Sequence, residues 1–174
     1  NPLTLIRFPK NNPPRERRLK HGEYERLIAA CATAKVWYLK PLIIFAIETC
    51  MRRGEILSLE WVHIDFDRRK ALLPITKNGA ARWVPLNSKT IGILKGIPKI
   101  DDRIFPITDS AFRQSWDRLR RRAKITDLKF HDLRHEAISR VFESGMSIPQ
   151  VMSISGHRTA SQLFRYVQIS DNGI

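Results

Sequence analysis

Arg52, Lys77, His131, Arg134, His157 and Tyr166 are ordinary residues singly, but in that order and spacing they form a set able to break and rejoin a phosphodiester. A phosphodiester resists attack because its anionic oxygens repel a nucleophile, and the transition state adds negative charge to them. Two guanidiniums, charged at every relevant pH and offering paired donors, suit that anion, and Arg52 and Arg134 are the expected clamp. A phenol has an ordinary pKa of about 10. Tyr166 therefore needs nearby positive charge to become a nucleophile. His131 is expected to add to that field and accept the phenol's proton, and His157 to hydrogen-bond a nonbridging oxygen. Lys77 is expected to protonate the departing 5′-oxygen, since a lysine among other cations releases its proton more readily. The phosphotyrosyl product would retain the free energy of the broken bond, so the chemistry calls for no cofactor and no metal. The sequence shows neither a Walker-type phosphate loop nor a carboxylate cluster at metal spacing.

The elements that must position these residues can be read from periodicity. Tyr24, Leu27, Ile28 and Cys31 predict one buried helical face from Gly22 onward. A second helix is expected from about Leu39 to Met51, apolar all round and therefore central, with Pro41 in its first turn. RRGEILSLEW should continue as a short helix with Arg52 or Arg53 near its start. Residues 63–86 change to strand period and predict a three-stranded antiparallel sheet, with Lys77 at the second turn beside Asn78-Gly79. Helices are then expected over 88–96, 109–123, 131–144, 148–154 and 160–169. Capping boxes at Ser147-x-x-Gln150 and Thr159-x-x-Gln162 mark two starts, the second placing Tyr166 in the second turn of its helix. The fold class is thus mainly α with a small three-stranded antiparallel β-sheet.

The chain has 174 residues, 43% of them hydrophobic, enough for one substantial core. Its net charge of +14 favours a polyanionic partner, because each neutralised phosphate releases counterions. Arg15, Arg17 and Arg18 on a proline-containing N-terminal stretch are expected to lie along a phosphate backbone. Arg53 and Arg82 are further candidates for DNA contact, as are Arg113, Arg120, Arg121, Arg122 and Lys124 on a basic helix with an apolar stripe of Phe112, Trp116, Leu119 and Ala123. Arg53 and His135 adjoin catalytic positions and are assigned to packing or backbone phosphate contact; Glu55 is read equally as an orienting partner of Arg52 or as a solvated surface acid. Cys31 and Cys50, with no CxxC pair, are expected to be reduced core residues. The longest apolar run, Pro41–Ile47, is well short of the roughly 20 residues of a membrane span. A cytosolic location is expected. Residues 1–18 read as a basic linker arriving from a further N-terminal domain, and 19–174 as one catalytic domain with a short tail.

The strings MRRGEILSLEW, HDLRH, SGH and RYVQ, with a lysine on a β-turn, resemble in order the boxes of the tyrosine recombinase or phage integrase family, over about residues 15–169. The resemblance implies the catalytic core of a site-specific DNA recombinase that works through a 3′-phosphotyrosyl intermediate for integration or excision. It aligns Arg52 rather than Arg53 with the first arginine. It also implies a homotetramer on double-stranded DNA, with accessory DNA-bending proteins possible and the isolated domain a monomer. The chain departs from the family where Cys50 stands for a usual glycine, Gln168 for a histidine, Lys20 for a helix-capping serine or threonine, and Ser155 for a leucine. The polar Ser155 is expected to loosen the helix that presents His157. A type IB topoisomerase, similar in fold and chemistry, and a DNA-binding domain without catalysis are the alternatives.

Overall fold

A computed structural model describes residues 15–74 and 81–170. Eight helices, α1 Glu23–Ala32, α2 Leu39–Thr49, α3 Arg53–Leu57, α4 Ser88–Gly96, α5 Asp109–Arg122, α6 Asp132–Glu143, α7 Ile148–Ser155 and α8 Phe164–Ser170, surround a small sheet among the described residues. The sheet runs β1 Ile64–Asp65, β2 Lys70–Leu73, β3 Arg82–Pro85 in that spatial order, all antiparallel, with Ala71 opposite both Ile64 and Val84. The mainly helical class with a three-stranded sheet is therefore the fold of this chain.

α2 is the central element, as its all-round apolar composition requires: Leu42, Ile43 and Phe45 are fully buried, and it packs on α1, α3, α4 and α6. Phe45 meets Phe105 edge-on, and Phe130 receives Phe112 and Trp116 in the same way, so aromatic pairs join α2 and α5 to the loops beside them. α4 begins at Asn87, whose side chain accepts the Thr90 N–H. Ser147 and Gln150 form the expected capping box on α7. A second, smaller core gathers Cys50, Ala137, Ile138, Val151, Leu163 and Tyr166 between α6, α7 and α8. Cys31 and Cys50 are both free and buried. No described helix is long and apolar enough to cross a membrane.

The second capping box does not form. Thr159 pairs with Ser161, Ala160–Gln162 makes one 3-10 turn, and α8 starts only at Phe164, which moves Tyr166 into its first turn. The start of the chain's described part also differs from expectation. Residues 15–20 lie across α6: Arg15 bonds Asp132 and Asp127, Arg18 bonds Glu136 and Glu143, and Arg17 bonds Glu23 of α1. Arg15, Arg17 and Arg18, expected on a phosphate backbone, are committed to carboxylates of their own chain. Asp132, Glu136 and Glu143 of α6 supply these carboxylates; Arg140 shares Glu136 with Arg18, and only the folded chain brings the distant N-terminal arginines onto this face.

Candidate active site

α2 stops at Cys50, which adopts the left-handed region at φ 55°, ψ 14°. That conformation costs a residue with a side chain roughly 1–2 kcal/mol, the physical reason a glycine suits the position. The turn leaves the Cys50 carbonyl free to accept Nη1 of Arg134 at 2.5 Å, while Nη2 of the same guanidinium donates to the Ser155 carbonyl at 2.7 Å. One buried arginine on α6 thereby ties the end of α2 to the end of α7. Arg52, the N-cap of α3, donates to the next carbonyl, Gly156, at 3.2 Å. His157 follows immediately. Arg52, Arg134 and His157 therefore meet around one left-handed glycine turn at φ 69°.

Glu55 braces this arrangement. Its carboxylate accepts the backbone N–H and Nη1 of Arg52, both at 2.8 Å, and takes a two-pronged bond from Arg82 at 2.9 and 2.7 Å. The orienting reading of Glu55 thus prevails over the surface one. Arg82 also donates to the Ile154 carbonyl and lies directly against the glycine turn: a Cβ on Gly156 would sit 2.8 Å from its Cζ. Arg82, expected to contact DNA, is instead an internal brace. Strand alternation explains the correction, because residues 82 and 84 face the covered side of the sheet and Trp83 the solvent.

The electrostatics of the cluster share one sign. Burial, and then Arg52, push the Arg134 guanidinium down to about 10. Burial, followed by Arg134 and Arg52, drives the His157 imidazole to about 3. His131, at the N-cap of α6, is held below the ordinary histidine value by desolvation and then by Arg134. Positive charge is concentrated beyond what Glu55 offsets, the condition of a site that binds an anion. Among the described residues no group of three His, Cys, Asp or Glu side chains is placed to hold a metal ion.

Ser155 does not loosen α7. Its hydroxyl donates to the Val151 carbonyl at 2.6 Å and stands 2.7 Å from His157 Nδ1, anchoring the ring instead. A serine has one proton to donate. While it serves Val151, Nδ1–H is the donor to Ser155 and Nε2 has no proton; turned to Nδ1, it leaves Nε2–H available for a phosphate oxygen.

Tyr166 is 4% exposed, with its ring stacked on Phe142 and Arg165 over its face at 5.0 Å. Burial raises the phenol's pKa, opposed by Arg165 and Arg134. Its hydroxyl is hydrogen-bonded to Nδ1 of His135, not to His131. His135 is the residue that the sequence reading assigned to packing or backbone phosphate contact. The available signal was its place four residues after His131, on the same helical face, but nothing local indicated a tyrosine 31 positions away.

The remaining candidates are distributed less tightly. Lys77 lies outside the described residues. A cleft of about 480 Å³ opens beside His131, lined by Arg53, Arg113, Arg120 and Lys129 over Phe112, Trp116 and Phe130. Arg53 and Arg113 share Asp109, and Arg120 faces Asp117, so part of this charge is offset. Arg121, Arg122 and Lys124 are exposed at the end of α5.

The chain is 43% identical over 171 residues to the shufflon-specific DNA recombinase of Escherichia coli, across 97% of this chain and 44% of that protein. It spans about half the length of the curated relatives it matches. Its structure resembles the catalytic domain of bacteriophage HP1 integrase, with a TM-score of 0.73 and 25% identity over 90% of this chain and 89% of that one. The Tn1549 transposon integrase, solved with transposon right end DNA, shares the fold at a TM-score of 0.73 and 16% identity, over 90% of this chain and 63% of that one. Residues 17–172, which hold the arginine cluster, both histidine boxes and the buried tyrosine, match the phage integrase family, and the chain belongs to it.

Proposed function

We propose that this chain is the catalytic domain of a site-specific tyrosine recombinase acting on double-stranded DNA. The observation that supports this most is the meeting of Arg52, Arg134 and His157 at the Gly156 turn, with Arg134 on α6, the helix that also contacts Tyr166. In this reading the two guanidiniums and His157 hold the nonbridging oxygens of the scissile phosphate. Tyr166 Oη passes its proton to His131 and bonds to phosphorus, the bond to the 5′-oxygen breaks, and that oxygen leaves with a proton from Lys77. A 5′-hydroxyl reverses the step and rejoins a strand, so energy is conserved without a nucleotide cofactor. His131 stands edge-on to His135, one imidazole away from the phenol.

Arg53, Arg113 and Arg120 beside the cleft, and Arg121, Arg122 and Lys124 at the end of α5, are proposed as backbone contacts, since their charge suits phosphates. The names of the relatives, among them an integrase of Salmonella phage P22, support the recombinase reading; assembly as a homotetramer on DNA, a further N-terminal domain, accessory bending proteins and action in the bacterial cytoplasm are proposed with it.

The test uses nicked suicide duplexes carrying the native site, incubated in EDTA with the chain in its longest natural form. Denaturing gels should show a covalent protein–DNA adduct for the wild type and none for Tyr166→Phe. An adduct that survives the substitution would place the nucleophile elsewhere. Absence of an adduct from both proteins would favour a DNA-binding domain.

A further inference from the structure

The hydroxyl of Tyr166 and Nδ1 of His135 are hydrogen-bonded in a region closed to solvent, with the tyrosine 4% and the histidine 5% exposed. Their rings lie nearly parallel, 28° apart with centroids at 5.7 Å, so the contact is set by a broad face as well as by the polar atoms. His135 is fixed in turn by His131, whose ring meets it edge-on at 5.0 Å. It follows Arg134 directly on α6. One helix therefore fixes both the guanidinium that ties Cys50 to Ser155 and the partner of the phenol oxygen.

Two roles fit a histidine in this place, proton acceptor or fixed hydrogen-bond acceptor, and the surroundings decide between them. Burial, then His131 and Arg165, hold His135 down to about 4, while burial raises the phenol above its ordinary value of about 10. Full proton transfer from the phenol to His135 would therefore be strongly uphill. His135 thus stays neutral at physiological pH, and with the phenol O–H donating to the Nδ1 lone pair its own proton sits on Nε2.

We propose that His135 is a positioning residue for Tyr166, which aims the phenol oxygen from α6 through the Nδ1 hydrogen bond. The proposal rests on Tyr166 being the nucleophile. His135 holds Oη in register with the arginine cluster and leaves the phenol protonated until a phosphate is bound. The contribution is one of orientation, where an ångström of misplacement costs on the order of a hundredfold in rate.

The experiment measures single-turnover cleavage and DNA affinity separately, on a suicide duplex with which the wild type forms an adduct and Tyr166→Phe does not. His135→Leu should slow cleavage at saturating DNA by roughly 10- to 100-fold and leave the dissociation constant within about twofold. His135→Asn, which returns an acceptor near the Nδ1 position, should recover to within about fivefold of wild type; His135→Gln, whose acceptor reaches toward the Nε2 position, should not. The Asn and Gln pair decides the matter if the leucine variant fails to fold. Wild-type or faster cleavage by His135→Leu would overturn the proposal, as would equal rates for the Asn and Gln variants. Persistence of the adduct in Tyr166→Phe would overturn the underlying reading of the nucleophile instead.

Discussion

The guanidiniums of Arg52 and Arg134 are tied to the carbonyls of Cys50, Ser155 and Gly156, whereas the phenol of Tyr166 rests in a small apolar cluster on a seven-residue helix. The first half of the site is built by backbone groups whose positions follow from three helix ends. Its donors are in place before an anion arrives, so little reorganisation accompanies binding. The second half depends on packing, because a helix as short as α8 has no stability of its own. The contrast separates two requirements of the proposed chemistry. Charge must be fixed, while the nucleophile must be both retained and able to form a bond.

The same contrast ranks the effects of perturbation. Arg134→Ala should be the most damaging to activity, lowering the rate of adduct formation by about a thousandfold or more, as measured in single-turnover cleavage. Its stability cost should be smaller than its burial suggests. Losing two carbonyl bonds is partly offset by regaining the desolvation cost of a buried guanidinium, the main reason Arg134 is depressed to about 10, and by relief of repulsion from Arg52, the next cause. A thermal melt of Arg134→Ala that falls further than that of Glu55→Gln would break this account.

Glu55→Gln should come next. It removes the carboxylate shared by Arg52 and Arg82 at the edge of a cluster that also contains Arg134, leaving cations without their partner. A loss of roughly 3 kcal/mol in denaturant unfolding is expected, with slower cleavage because Arg52 loses its brace. Unchanged stability would show that the surrounding water and carbonyls suffice.

The smallest effect is a gradual dependence of stability on pH. His131, His135 and His157 all have folded values below the ordinary 6.5, so between that value and their own the unfolded chain binds more protons than the folded one. Stability is therefore full above about pH 6.5 and declines as pH falls toward 4. Glu23, Glu55 and Glu136, lowered by their arginine partners against the cost of burial, add to the decline below their unfolded value of 4.5. Melting temperatures recorded from pH 8 to pH 4 should drop in that direction, and more gently for Tyr166→Phe/His135→Asn than for the wild type, because one depressed histidine is gone. A flat profile would mean that the histidines of the site are wetter than their packing implies.

Much of the chain could be read in one dimension. The stripe of Phe112, Trp116 and Leu119 is a matter of 3.6-residue periodicity, and all three are buried along α5. α4 spans the expected residues because Asn87 is a local cap, and local caps obey short-range rules. The order and types of Arg52, His131, Arg134, His157 and Tyr166 carried the chemistry, since phosphodiester cleavage restricts which side chains can serve it.

Only the folded chain decided how charge is distributed among partners. Arg82 and Arg15 look like equivalent surface cations in the sequence, yet one braces Glu55 beneath the Gly156 turn and the other closes on Asp132. Ser155 reads as a flaw in an apolar helix until His157 folds back onto it. His135 and Tyr166 stand 31 residues apart, and their contact exists because the second core packs α8 on α6. Periodicity and capping depend on neighbours within a few residues and can be read directly from the chain. Partnership between distant side chains depends on how several helices pack at once, and that is settled by burial of the whole core.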